Sequence, residues 1–439
     1  MTKTYREKLL TAVKELNIEL PKGKYIKNDD IKQVIIKFLG NKGKLDSILV
    51  KPITNEKSIT NVKPITNVKP ITNVKPKSTT HNRDTNKRIV IDNKINIKKS
   101  CFPKTKKLVA IGDIHGDLSV AIKSLKLANV ININTPNNIK NISNIKWTGG
   151  NTIVVQLGDQ IDRVRPSKLV NDLCQANDHQ LNQDEGSDLK IICLFEKLHE
   201  QAIKEGGALF SILGNHELMN VDGDFRYVSP KEFREFGVFF KEPINTNSKY
   251  PYGYETRKRV FSPGGSLSKK LANSRYSILQ VGSWVFVHGG MTPELANDYT
   301  IDHINGIIHK WLSGNSSTLL LEHVNKLYHN DNDSYSPFWS RTFSDIDDWN
   351  STSEQNFNNT INVLNFKNKR NKTNEIKGMI VGHSPQFMYN KGLNSACSNR
   401  LWRVDVGMSK AFGMDKNSHR KVQILVIEND TQFKILKEQ

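Results

Sequence analysis

Cysteine is scarce in this chain of 439 residues: Cys101, Cys174, Cys193 and Cys397 stand apart, with no CxxC spacing. That excludes a disulfide framework and a thiolate zinc site, and leaves free thiols. Long apolar runs are missing too. The longest, Ile278 to Val287, is too short to span a bilayer, and Met1 to Leu20 is charged and amphipathic, without the apolar heart of a secretory signal. A soluble intracellular protein with no membrane partner is expected. The N-x-S/T sequons, at Asn315 and Asn350 for example, then read as chance products of an asparagine-rich chain.

Aromatic side chains are nearly absent where positive charge is greatest. Residues 1–107 hold 26 Lys and Arg against 9 Asp and Glu, which is +17 of the net +20, and between 51 and 107 Phe102 is the only aromatic. Base stacking on single-stranded nucleic acid therefore has little to work with. Salt-dependent attraction to an acidic or nucleic-acid partner remains as the alternative to a solvated linker.

Residues 1–50 carry two helical patterns, Tyr5, Leu9, Val13, Leu16 and then Ile31, Val34, Ile35, Phe38, separated by Pro21 and Gly23. They predict a short helical hairpin that docks on a partner or stays weakly structured. From Lys51 the hexads KPITNE, KSITNV, KPITNV and KPITNV forbid a continuous helix and lack the apolar density of a core. This basic linker is expected to run to residue 107, with a catalytic domain over 108–439.

After Lys107 the texture changes. Five apolar runs each end in a polar residue that could bind metal: Leu108–Ile111 before Asp113, Ile153–Leu157 before Asp159, Ala208–Leu213 before Asn215 and His216, Val285–Val287 before His288, and Met379–Val381 before His383. These read as buried strands, and a helical pattern over Leu189–Lys204 supports an α/β alternation. In layered α/β folds the carboxyl edge of the sheet is where ligands bind. Asp113-x-His115 puts an oxygen and an imidazole on one side of extended backbone, a pair that suits manganese, iron or zinc. Alone it is weak, since a strand-end aspartate more often caps the next helix. GDIHGD (112–117), GDQIDR (158–163) and GNHE (214–217) in succession make chance improbable.

With VHGG (287–290) and GHS (382–384), these blocks resemble the signatures of calcineurin-like phosphoesterases, and specifically the phosphoprotein phosphatase branch. GNHELMNVDGDFRYVSP (214–230) and WRVDVGMSKAFG (402–413) resemble the Shewanella-like phosphatases. The resemblance covers about 107–430. It implies an α/β fold, a calcineurin-like β-sandwich of mixed sheets flanked by helices; the basic N-terminal extension, outside the resemblance, reads from its own repeats as mostly disordered. It also implies two divalent metal ions, manganese being the expected one in vitro. Asp113, His115 and Asp159 match the ligands of the first, and Asp159, Asn215, His288 and His383 those of the second. His216 matches the acid that protonates the leaving oxygen and Asp162 its orienting carboxylate. Arg163 matches a phosphate clamp. Arg341 is a second candidate, which a surface salt bridge would explain equally well.

Two departures stand out. Val164 replaces the usual glycine after Arg163, and Leu213 replaces the arginine that precedes GNHE in the mainstream Ser/Thr enzymes. No SAPNY-like loop is visible near the C-terminus. The resemblance implies hydrolysis of phosphomonoesters by a hydroxide held between the metals, with a phosphorylated protein as substrate, in first place on serine or threonine. The alternatives are phosphotyrosine, a dinucleoside polyphosphate or other nucleotide, and, more remotely, a nucleic-acid-tethered phosphoesterase. GNHE and VHGG, rather than GNHD and VHAG, speak against the dinucleotide branch.

Overall fold

The computed structural model describes residues 99–439 except 140, 166–167, 171–172, 176–183, 331–334, 347–348, 372–373 and 414–417. The expected hairpin (1–50) and most of the expected linker lie outside the described residues.

Strands β1 (Cys101–Phe102), β7 (Ile278–Val281), β8 (Trp284–Val287), β9 (Gly378–Val381), β10 (Asn394–Ala396) and β11 (Leu401–Arg403) form one mixed sheet, in the order β1-β7-β8-β9-β11-β10. A second takes β2 (Lys107–Ile111), β3 (Ile153–Gln156), β6 (Ala208–Ser211), β12 (Gln423–Glu428) and β13 (Gln432–Lys437), ordered β13-β12-β2-β3-β6. A separate hairpin joins β4 (Lys168–Val170) to β5 (Leu173–Gln175). The fold is the expected α/β sandwich of mixed sheets flanked by helices.

Side-chain alternation explains the layering. Along β8, Trp284 and Phe286 point into the core shared by the two sheets, while Val285 and Val287 point to a second cluster under helices Ile301–Leu312 and Ser351–Asn371. Strands β2, β3 and β6 are apolar almost throughout and pair in parallel, as strands covered on both faces do. Helices α1 (Leu118–Leu127) and α2 (Asp188–Lys204) add Leu125, Leu194 and Leu198 to that same core.

The run 278–287 folds as a hairpin, turned at Gly282 with φ of +58°. One local reading differs from the sequence pattern. Cys101 and Phe102, read as linker, pair in parallel with Gln280 and Val281, and the Phe102 ring lies 4.5 Å from that of Phe210. Lysine-rich neighbours concealed a strand of only two residues.

Candidate metal centre

Strands β2, β3, β6, β8 and β9 all end at one edge, where their following loops are sewn together. His115 N–H donates to Asp159 O at 2.8 Å, and Gly382 N–H to His288 O at 2.9 Å. The approach is so close that a Cβ on Gly158, itself at φ of +89°, would stand 2.5 Å from the backbone nitrogen of Gly214. His115, Asp159, Asp162 and His383 all adopt left-handed backbone, with φ of 45°, 50°, 75° and 69°. Non-glycine residues adopt that region in only a few per cent of cases, aspartate and histidine more readily than most, and such backbone gathers at functional sites.

Helix α3 (Asn215–Asp222) begins directly behind β6 and carries the main fastening of the edge. Glu217, at its third position, reaches back to accept the N–H of Gly214 at 2.7 Å, as in a capping box. The same carboxylate accepts the N–H groups of Asp159 at 3.0 Å and Gln160 at 2.8 Å. One acid thus joins the second and third signature loops.

Asp159 is the hub. Its Oδ2 lies 3.7 Å from His115 Nε2, 3.3 Å from His288 Nε2 and 3.9 Å from His216 Nε2. Two buried trios result, His115–Asp159–His216 and Asp159–His288–His383, each with ligand atoms within 4.8 Å of one another. His115 Nδ1 faces Ile161 O at 3.3 Å and His288 Nδ1 faces Leu157 O at 2.6 Å. A proton on each Nδ1 leaves the Nε2 lone pair turned toward the hub. Asn215 Oδ1 is 2.9 Å from His288 Nε2. Asp113 belongs to neither trio but lies beside them, its Oδ2 accepting the N–H of His383 at 3.1 Å.

The donor set fits divalent cations. Asp113 Oδ1 and His383 Nε2 are buried without a hydrogen-bond partner among the described residues. Burial, with Asp405 and Asp159 close by, pushes the Asp113 carboxyl well above its ordinary range. Burial, with Arg165 and His216, holds His115 well below its own, and burial, with Arg341 and His288, does the same to His383. For Asp159 burial acts upward, but His288 and His216 outweigh it and bring the carboxyl well below the usual value. Neutral imidazoles beside crowded acids are what a cation would satisfy.

Behind His216 stands Asp162, whose Oδ2 lies 2.8 Å from Nδ1. The two arginines singled out in the sequence part company. Arg341 opens to solvent and donates to Ser384 Oγ at 3.0 Å, next to His383. Arg163 is enclosed, with Nη2 3.7 Å from Asp117 and its N–H donated to Glu232 at 3.2 Å. Val164 is accommodated without strain, because the left-handed residue of this turn is Asp162 and Val164 N–H simply donates to Tyr227 O.

Three residues here escaped the sequence reading. Arg165 lies 5.3 Å from the Tyr227 ring and 4.5 Å from the Phe412 ring, and those rings stand 4.8 Å from His216 and 5.5 Å from His115. Asp405 is buried, with Oδ2 unpartnered, and burial pushes its carboxyl up to about 6. It follows β11 as Asp113 follows β2, the same strand-end signal as at the other five loops. Glu217 lies within the GNHE block, and its signal is positional: a glutamate at the third position of a helix is a capping residue.

A sheet edge carrying two histidine–carboxylate trios that share an aspartate is suited to a pair of cations. A profile described as calcineurin-like phosphoesterase matches residues 106–396, and the chain belongs to that family. It is 36% identical over 258 residues to an uncharacterised protein of Acanthamoeba polyphaga mimivirus, covering 55% of this chain and 97% of that one. It is 28% identical over 341 residues to Shewanella-like protein phosphatase 2 of Arabidopsis thaliana, covering 72% and 74%. The crystal structure of a cold-active protein-tyrosine phosphatase from a psychrophilic Shewanella species matches at 20% identity and a TM-score of 0.49, over 78% of this chain and 84% of that one. Among the described residues no helix is long and apolar enough to cross a membrane.

Proposed function

We propose that this chain is a two-metal protein phosphatase acting on phosphoserine and phosphothreonine. The observation that carries the reading is the sharing of Asp159 Oδ2 between His115 at 3.7 Å and His288 at 3.3 Å, since one carboxylate between two imidazole sets is how a pair of cations is bridged. Asp113, His115 and Asp159 would hold the first, and Asp159, Asn215, His288 and His383 the second. Mixed oxygen and nitrogen donors suit manganese, iron or zinc. Such cations, when bound, polarise a phosphoryl oxygen and acidify a water.

The chain's own groups supply the rest. His216 is held with Nδ1 on Asp162, so in its acid form the proton available to the leaving oxygen sits on Nε2, the nitrogen that faces Asp159. A serine or threonine alkoxide is a poor leaving group and needs that proton. For the phosphoryl oxygens we assign Arg341 and Arg165, whose planar forks suit two oxygens at once, in preference to the enclosed Arg163.

Phosphotyrosine is the second reading, favoured by the Tyr227 ring 4.8 Å from His216 and the Trp339 ring 5.9 Å from His383, two aromatic walls for an aryl group. Turnover of the manganese-loaded protein on phosphoserine, phosphothreonine and phosphotyrosine peptides, a dinucleoside tetraphosphate and single-stranded DNA decides. Serine and threonine peptides should lead. Faster turnover of the nucleotide or the DNA would overturn the assignment.

A further inference from the structure

Arg257 belongs to none of the signature blocks. It lies on helix Tyr254–Phe261, wholly buried, yet it reaches into the proton-handling side of the site. Its Nη2 is 2.7 Å from Asp188 Oδ2 and 3.2 Å from Asp162 Oδ1, and its Nε donates to Asn220 Oδ1 at 2.7 Å. Asn220 in turn donates to Asp162 Oδ1 at 2.9 Å and to His216 O at 3.0 Å. Both oxygens of Asp162 are therefore committed, Oδ2 to His216 and Oδ1 to Asn220 and Arg257. The guanidinium is itself clamped, its carbon 4.6 Å from the Phe236 ring and 5.3 Å from the Phe261 ring.

Stability alone does not account for this arrangement. A buried ion pair is often no more stabilising than apolar side chains of the same volume, and Phe236, Val260 and Phe261 already offer apolar surroundings. The cluster also carries surplus acid. Asp188 faces Glu232, the capping-box acid of helix Pro230–Phe239, as a buried carboxyl pair, and burial, with Asp188 beside it, pushes the Glu232 carboxyl well above its ordinary range. What the geometry delivers is a carboxylate at Asp162 that cannot rotate, and through it an imidazole that cannot turn.

We propose that Arg257 is a positioning residue for leaving-group protonation, holding Asp162 so that Asp162 holds the ring of His216. The proposal rests on reading His216 as the general acid. Lysine keeps the charge but lacks the planar fork that spans Asp162, Asp188 and Asn220 together, so Arg257→Lys loosens the relay.

The test is a double-mutant cycle on the full chain loaded with manganese, comparing Arg257→Lys, His216→Asn and their combination on an alkyl and an aryl phosphate. Arg257→Lys should lower alkyl turnover roughly tenfold more than aryl turnover, and should add almost nothing once His216 is gone. Equal losses on the two esters, or an undiminished loss in the His216→Asn background, would show a structural arginine only. If the lysine variant fails to fold, the charge-neutral pair Arg257→Gln with Asp188→Asn carries the same expectation. Proton and nitrogen NMR of histidine-labelled protein, without metal or substrate, provides a reading independent of activity. The His216 Nδ1–H resonance, sharp in the parent, should broaden or vanish in the variant, and persistence of that signal unchanged would overturn the proposal. A parent inactive on both esters but showing the NMR change would instead count against the phosphatase reading.

Discussion

Glu217 holds Asp159 from behind: the glutamate carboxylate accepts the aspartate's backbone N–H at 3.0 Å while also taking Gly214 and Gln160. Three donors converge on two oxygens of one buried side chain. Glu217→Gln puts an amide N–H where at least one of those donors points, leaving it unpaired in the interior. A loss of about 2–4 kcal/mol in stability is expected, together with weaker metal retention, since the loop that turns Asp159 is freed. Denaturant titration beside elemental analysis checks this; an unchanged midpoint would mean that the three contacts are incidental.

The shared position of Asp159 makes a sharper forecast for Asp159→Asn. A neutral amide keeps one oxygen for one cation but cannot bridge two. The variant should retain no more than one equivalent of metal after dialysis, and alkyl and aryl phosphatase activity should fall together. Two firmly held equivalents would show that the bridge lies elsewhere.

Acid sensitivity should arise partly outside the site. His199, on α2, lies inside the core with Nδ1 2.9 Å from Leu209 O, and burial holds it down to about 4. An unfolded histidine takes its proton near pH 6.5, so as pH falls the unfolded state gains the proton first. The fold keeps this contribution above about pH 6.5 and loses up to about 3 kcal/mol as pH drops to about 4. His199→Gln should flatten the stability–pH curve across that window. Parallel curves for the two proteins would rule His199 out as a source.

The strand at Cys101–Phe102 fixes where the chain may be shortened. A protein beginning at residue 99 should match the full chain in turnover of a small phosphate ester. One beginning at 108 loses the partner of Gln280 and the Phe102 ring against Phe210, a loss on the order of 3–5 kcal/mol by analogy with removing a buried phenylalanine. Thermal melting of the two proteins tests it; equal melting temperatures would show that the short strand is dispensable. Removal of residues 1–98 should also weaken any salt-sensitive retention on an anionic column, because +13 of the net +20 leaves with them.

What could be read beforehand follows a physical rule. Asp113, Asp159, Asn215, His288 and His383 are visible because each follows an apolar run, and a strand end announces itself in a handful of consecutive residues. Arg257 and Arg165 leave no such trace. An arginine's partner depends on which helix packs where, and in sequence Arg257 in YETRKR is one more basic residue on a helix whose neighbours Lys258 and Arg259 do face solvent. Arg163 shows the converse, a motif position legible in the sequence whose contact with Asp117 is not. Phe102 was hidden because a two-residue strand is too short for any period to register.

The left-handed backbone at His115 and His383 sets protein engineering against chemistry. A residue of this kind is strained by roughly 1–2 kcal/mol that glycine would relieve, so a screen for heat resistance alone should enrich His115→Gly and His383→Gly. Such winners would melt higher and bind metal worse. Thermal tolerance is thus a misleading proxy for fitness in libraries of this enzyme, and selections that do not score turnover would dismantle the centre while improving the protein that carries it.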